Sequence, residues 1–243
     1  MRKTRIFVDQ SLQEGKTVML ADEAAHHVAR VLRLRSGDPL ILFDGRGGEY
    51  EAEISKVDKR SVEVQIKQYR ETDKGSPLHI TLAQGISRGQ KMDFSLQKAV
   101  ELGVERIIPV MTEHGNVHLD QQRQQKKIEH WHGVIIGACE QSGRNKIPEL
   151  VAPLAFDDWL ALDSGLTKLI LHPESGTSLA KLSRPAGGLT LLIGPEGGFS
   201  DGEIQRACAA GYQVINLGPR ILRTETAALA AISACQTLWG DFL

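Results

Sequence analysis

The sequence predicts an α/β protein in two parts, a small β-barrel followed by a parallel sheet covered by helices. Three observations carry this reading. The first seventy residues hold closely spaced apolar or alternating runs broken by Gly and Asp, and after Pro77 strand-like and helix-like segments alternate. Near the C-terminus, two glycine-rich segments each follow an apolar run and lead into a helix-like stretch. Short, evenly spaced strands favour a barrel, whereas strand–helix alternation favours a parallel sheet with both faces covered.

In the N-terminal part, strands are expected at 5–8 (RIFV), 17–20 (TVML), 40–44 (LILFD), 49–57 and 61–69. One helix interrupts them, from about Asp22 to Leu34, with Asp22 as N-cap and Ala25, Val28 and Val31 or Leu32 as its apolar stripe. The polar segment 70–77 (RETDKGSP) reads as a linker, so residues 1–72 and 73–243 are expected to form separate domains.

Beyond the linker, strands are expected at 78–86, 106–111, 168–172, 189–194 and 212–218. Helices are expected at 89–103, ending at Gly103, then at 121–143, 201–211 and from about Thr224 to Leu238. The last is apolar around much of its circumference, which suits close packing within the core or against a second subunit.

Composition narrows the function classes. The 243 residues carry 29 basic and 30 acidic side chains, so any nucleic-acid surface must be a local patch. Aromatic residues make up 5%, too few for extensive base stacking. Cys139, Cys208 and Cys235 are widely spaced and read as incidental thiols of a reducing compartment. No run approaches the roughly 20 apolar residues of a membrane span, and MRKTRIFVDQ lacks a signal-peptide core, so a soluble cytoplasmic protein is expected. His114, His118, His130 and His132 have no convincing metal-ligand spacing, so no metal is expected.

The chemistry concentrates in three strand ends: Leu171-His172-Pro173-Glu174, Ile193-Gly194-Pro195-Glu196-Gly197-Gly198, and Leu217-Gly218-Pro219-Arg220-Ile221-Leu222-Arg223. Loops after parallel strands are where open α/β sheets hold ligands. Converging loops of this kind make an apolar slot with free backbone groups, suited to an adenine ring. The glycines before a helix start also fit an anion site. Neither GxxxxGK(S/T) nor GxGxxG followed by an acidic residue about 20 positions on is present, however, and Glu196 would repel a phosphate, whereas a sulfonium tolerates it. A methyl donor is the better reading, with a nucleotide-dependent enzyme as the competitor.

The wording of these segments, IGPEGGFS and LGPRILRTETAA, resembles the RsmE family of ribosomal RNA methyltransferases, in the SPOUT (trefoil-knot) class. Residues 28–48, 87–104 and 139–148 (CEQSGRNKIP) resemble further blocks of that family in the same order. The resemblance implies a PUA-like RNA-binding barrel over 1–72 and a SPOUT methyltransferase domain over 73–243, knotted within about 168–238. It also implies a homodimer acting on 16S ribosomal RNA in an assembled 30S subunit, at N3 of uridine 1498 in the standard ribosomal numbering. S-adenosylmethionine would be held by Leu171, His172, Pro173, Ile193, Gly194, Pro195, Glu196, Gly197, Gly198, Leu217, Gly218, Ile221 and Leu222. One stretch departs from the family pattern: residues 113–118 (EHGNVH) stand where basic or small residues are expected.

Methylating uracil N3 requires loss of its proton, so charge develops on the base. Arg223 is expected to stabilise that charge. Glu225 or Glu196 is a candidate general base, with Glu225 favoured as the holder of Arg223. Thr224 reads equally as an N-cap with Glu225 in the first helical turn. RNA contacts are expected from Arg5, with Arg2 and Lys3, and from His26, Arg30 and Arg33 at i, i+4 and i+7 of one helix, then Arg35. Arg88, Lys91 and Arg144 complete the expected set. A non-catalytic assembly factor is the second reading, disfavoured because a pure binder has no need of these loops.

Overall fold

The computed structural model describes residues 3–58, 61–115, 121–162 and 165–242. Arg2 and residues 116–118 of the 113–118 stretch, His118 among them, lie outside these, as does the Asp22 side chain. The chain divides into two compact units, Met1–Gly75 with Cys139–Ile147, and Ser76–Ala138 with Pro148–Leu243.

In the first unit β1 (Thr4–Phe7), β2 (Thr17–Ala21), α1 (Asp22–His26), β3 (Pro39–Phe43), β4 (Glu49–Val57) and β5 (Ser61–Arg70) follow one another. The sheet order is β1-β3-β4-β5-β2, with only β1 and β3 parallel. Val62, Val64 and Ile66 of β5 alternate inward and join Ile6 of β1 and Leu20 of β2 in one core. Both edge strands contribute to the same cluster, so the sheet curls around it. Val28 seals this core from the helical segment.

That segment is shorter than expected. After α1 the chain continues as a π-turn over His27–Val31, with Leu32 N–H donating to the His27 carbonyl at 2.9 Å. Arg33 then takes a left-handed conformation, φ 55°. The apolar residues Leu32 and Leu34 prolong the helical pattern in sequence, but the wider turn ends the 3.6-residue period. Arg33 therefore does not share a helix face with His26 and Arg30. All three, and Arg35, are exposed.

Segment 139–147 joins this unit through polar contacts. The Arg5 guanidinium pairs with Glu49, donates to the side chain of Asn145 and to the Arg144 carbonyl, and lies over the Phe43 ring. Glu140 accepts from Phe7 N–H at 2.9 Å, and Asn145 donates to Thr72. Burial pushes the Glu140 carboxyl up, against the pull of the Phe7 N–H and the nearby His27 and Arg5. Arg5 and Arg144 are thus buried, which corrects their expected place on an RNA-facing surface: the Arg5 guanidinium is paired inside this unit, and Arg144 is 5% exposed. Arg5→Met is expected to lower stability by about 3 kcal/mol, because it leaves the Glu49 carboxylate and Asn145 unpaired in a desolvated site. Chemical denaturation checks this.

The second unit runs β6 (Ile80–Gly85), α2 (Gln90–Glu101), β7 (Arg106–Met111), α3 (Gln121–Ser142), β8 (Glu149–Leu150), β9 (Leu154–Ala155) and α4 (Phe156–Leu160). The last turn of α3 belongs to the first unit. It continues through β10 (Thr167–Leu171), β11 (Thr177–Ser178), β12 (Leu189–Ile193), α5 (Asp201–Ala209), β13 (Gln213–Asn216) and α6 (Thr224–Trp239). The strand order is β11-β13-β10-β12-β6-β7-β8, with β9 also on β7, and every pairing is parallel.

β6 and β12 are buried throughout, as expected for strands covered on both sides. Ala83, Ile108, Ile170 and Leu192 pack with Phe156 and Trp159 of α4 and Ala207 of α5. α2 and α6 pack together on the opposite face. There the buried Gln236 amide donates to the Leu102 carbonyl at 2.8 Å and accepts from Ser76 Oγ at 2.7 Å. The short elements β8, β9, β11 and α4 were not expected from periodicity, being two to five residues long. Cys139 and Cys235 are buried, which raises their thiols to about 11 and about 12, while Cys208 is exposed.

Candidate active site

β13, β10 and β12 are neighbours in the sheet and parallel, so their C-terminal ends open side by side. The loops that follow enclose one cavity of about 710 Å³, within the range of roughly 300–1,000 Å³ usual for small-molecule sites. Leu171, Ile193, Leu217 and Leu222 supply apolar wall. His172, Pro173, Gly194, Pro195, Glu196, Gly197, Gly198, Gly218 and Ile221 complete the set expected around a cofactor, and all of them line this one cavity. Glu174, Arg220 and Arg223 line it too, with Lys91 from the first turn of α2.

Two residues that the sequence reading passed over lock the loops together. Gln84, at the end of β6, is fully buried, and its amide donates to Thr224 Oγ1 at 3.0 Å and to the Gly194 carbonyl at 3.4 Å. Thr224 Oγ1 in turn donates to the same carbonyl at 2.6 Å. The next residue, Gly85, lies against Pro195 so closely that a Cβ there would sit 2.6 Å from the proline nitrogen and 2.5 Å from its Cδ. The signal available was a lone Gln-Gly pair ending an otherwise apolar strand. Thr224 is therefore not the N-cap of α6. Arg223 occupies that position with extended backbone and no side-chain capping bond, because the threonine hydroxyl is committed to Gly194.

Glu196 faces Arg88 and Lys91. Its carboxylate accepts from the Arg88 N–H at 3.2 Å and lies 3.4 Å from Lys91 Nζ. Burial alone would raise its carboxyl, but backbone N–H groups of Glu196 and Arg88, with the Lys91 ammonium, hold it below the ordinary carboxylate value. The group is ionised at neutral pH. Its contribution to loop stability is present above the ordinary value near 4.5 and is lost as pH falls through the depressed one.

Arg223 is exposed at the cavity wall, free to reach a ligand. Glu225 is half-buried, and its Oε2 is enclosed without a hydrogen-bond partner. The expected clasp between Glu225 and Arg223 is not formed. Lying in the first turn of α6, the carboxylate is favoured instead by the helix dipole. His130 pairs with Asp93 at 2.9 Å, outside the cavity.

The following helix starts with a signature present in the sequence but unread, Ser200-Asp-Gly-Glu203. Ser200 Oγ accepts from Glu203 N–H at 3.1 Å and Glu203 Oε2 from Ser200 N–H at 2.9 Å, a reciprocal cap. Glu203 Oε1 also accepts from Glu113 N–H at 2.9 Å, so one buried carboxylate joins the turn after β7 to the loop after β12.

Comparison with known proteins places this geometry. Residues 74–236 match the model of an RNA methyltransferase domain, and residues 20–67 that of an RNA methyltransferase PUA domain. The fold and cavity thus define an RNA methyltransferase of the SPOUT class with an N-terminal PUA domain. Among curated relatives, ribosomal RNA small subunit methyltransferase E of Buchnera aphidicola (from Acyrthosiphon pisum) is 36% identical over 98% of this chain and 94% of its own. The Bacillus subtilis protein of the same name is 31% identical over 95% and 94%. Among solved structures, methyltransferase E of Neisseria gonorrhoeae bound to S-adenosyl methionine superposes with a TM-score of 0.93 at 43% identity, over 100% of both chains. A putative methyltransferase of Legionella pneumophila in complex with its bound cofactor SAM gives 0.96 at 43%, again over 100% of both. The chain belongs to the ribosomal RNA small subunit methyltransferase E family.

Proposed function

We infer that this protein is an S-adenosylmethionine-dependent methyltransferase of small-subunit ribosomal RNA, and we propose that it acts on N3 of the uridine at position 1498. The single observation that carries the reading is the convergence of the three glycine-rich loops on one cavity, in a chain whose structural relatives hold S-adenosylmethionine. The cavity fits that group. Leucine and isoleucine side chains flank a flat slot, backbone groups border it, and Glu174 and Glu196 favour a sulfonium over a phosphate.

When bound, the cofactor supplies an electrophilic methyl group. The protein's own task is to bring the uracil into line and to make its N3 nucleophilic. Arg223 reaches the cavity from the extended residue before α6 and stabilises the negative charge that appears on the base as the N3 proton leaves. Glu225, half-buried with its Oε2 enclosed and off the cavity wall, is the candidate to support Arg223 from the first turn of α6 and does not touch the base. Lys91, paired with Glu196 at the cavity wall, and the exposed Arg88 just before α2 are the candidate phosphate-binding cations. Arg30 and Arg35 offer exposed cationic groups on the PUA unit for the same RNA, with His26 as an exposed polar neighbour.

Three further readings accompany this function. The segment 168–238 is read as knotted because the SPOUT class to which the chain belongs implies it. A twofold dimer is supported by the outer face of α6, where exposed Leu238 borders a shallow apolar groove with Leu179 and Ala180. The substrate is taken to be the assembled 30S particle, in the cytoplasm; no helix among the described residues is long and apolar enough to cross a membrane.

The test is methyl transfer from labelled S-adenosylmethionine to small subunits lacking their native modification, with nucleoside mass spectrometry. One 3-methyluridine at a single position is expected. No label, from folded protein that still binds the subunit, would return the reading to a non-catalytic assembly factor.

A further inference from the structure

We propose that His114, in the turn after β7, is a positioning residue for the methyl-donor loop, setting cofactor affinity through the Gly197 peptide. The proposal rests on the reading of the cavity as an S-adenosylmethionine site.

His114 Nδ1 lies 3.0 Å from the Gly197 carbonyl oxygen. A carbonyl only accepts, so Nδ1 carries the proton and donates. The two residues are also packed closely: a Cβ on Gly197 would fall 2.8 Å from His114 Cβ and 3.2 Å from its carbonyl oxygen. Only glycine permits that approach, and Gly197 lines the cavity.

The turn that carries His114 is rigid enough to act as a stop. Gly115 N–H closes it onto the Thr112 carbonyl at 3.0 Å. Glu113 N–H is fixed to the buried Glu203, and the Glu113 carboxylate pairs with Arg206 Nη2 at 3.0 Å. Arg206 Nε is itself held by Asp157 at 2.9 Å. The imidazole therefore projects from a turn anchored to α5, and α5 begins where the Gly197 loop ends. One hydrogen bond then orients a peptide whose glycines have little conformational restraint of their own. Preorganising such a loop raises ligand affinity, because less ordering remains to be done on binding.

His114 does not line the cavity, so it acts through Gly197 and not on the methyl group. The test is calorimetric titration of S-adenosylmethionine into wild-type protein and the variants His114→Ala and His114→Asn, together with kcat at saturating cofactor. Asparagine places an N–H donor near the position of Nδ1 and keeps the bond. Alanine is expected to weaken binding about fivefold, as befits one hydrogen bond, while asparagine stays within about twofold of wild type. kcat is expected to remain unchanged in both. Equal affinity of the alanine variant and wild type would overturn the proposal. So would an asparagine variant as weak as alanine, which would reduce His114 to a space-filling residue. Wild-type protein that binds no S-adenosylmethionine would instead defeat the cofactor reading itself, and the proposal with it.

Discussion

Arg223→Ala is expected to reduce methyl transfer by about 100- to 1,000-fold while changing S-adenosylmethionine affinity by no more than about threefold. The asymmetry follows from position. Arg223 is exposed on the cavity wall, makes no capping bond to α6, and has no partner in Glu225. Its removal leaves the loop framework of Gln84, Thr224 and Gly194 untouched, so both the fold and the apolar slot persist. What disappears is the cation facing the base as charge develops on it. Lysine should recover only part of the rate, since it lacks the planar fork that can hold two uracil acceptor positions. A variant that loses cofactor affinity and kcat together would place Arg223 in cofactor binding.

Gly85→Ala should act in the opposite way, removing cofactor binding first. A Cβ at this position meets the backbone nitrogen and ring of Pro195, neither of which can rotate aside. The loop after β12 must shift, and with it Gly194, whose carbonyl receives both Gln84 and Thr224. Overpacking of this kind costs about 1–3 kcal/mol in stability. The affinity loss is expected to exceed tenfold, since the slot is built on the displaced loop. Calorimetric titration alongside thermal unfolding separates the two effects. Unchanged affinity in a folded Gly85→Ala protein would show that the loop tolerates displacement.

The long strands and helices are legible in the sequence because burial imposes periodicity on them. β6 and β12 read as continuous apolar runs, and β5 alternates because it is buried on one side. α1 is shorter than its sequence pattern because Leu32 and Leu34 continue an apolar stripe that the π-turn has already ended. The convergence of the three loops on one cavity is foreshadowed by glycine, proline and charge after apolar runs, features local to each segment. What local pattern cannot carry is pairing between distant residues. Arg5 looked like a surface cation until Glu49 and Asn145 enclosed it. Segment 139–147 gave no hint that it closes onto β1. Gln84 and Thr224 matter through a carbonyl 110 and 30 residues away. Polar residues that bind backbone across the fold leave no periodic trace.

The cavity after β10, β12 and β13 is expected to take a sulfonium methyl donor in place of a phosphorylated nucleotide. The most direct measurement is calorimetric titration of the wild-type protein with S-adenosylmethionine, with S-adenosylhomocysteine and ATP as competitors. Saturable binding at one site per chain, displaced by S-adenosylhomocysteine and indifferent to ATP, is the predicted result. Binding of ATP that excludes S-adenosylmethionine would contradict it, and would identify the glycine loops as a phosphate cradle.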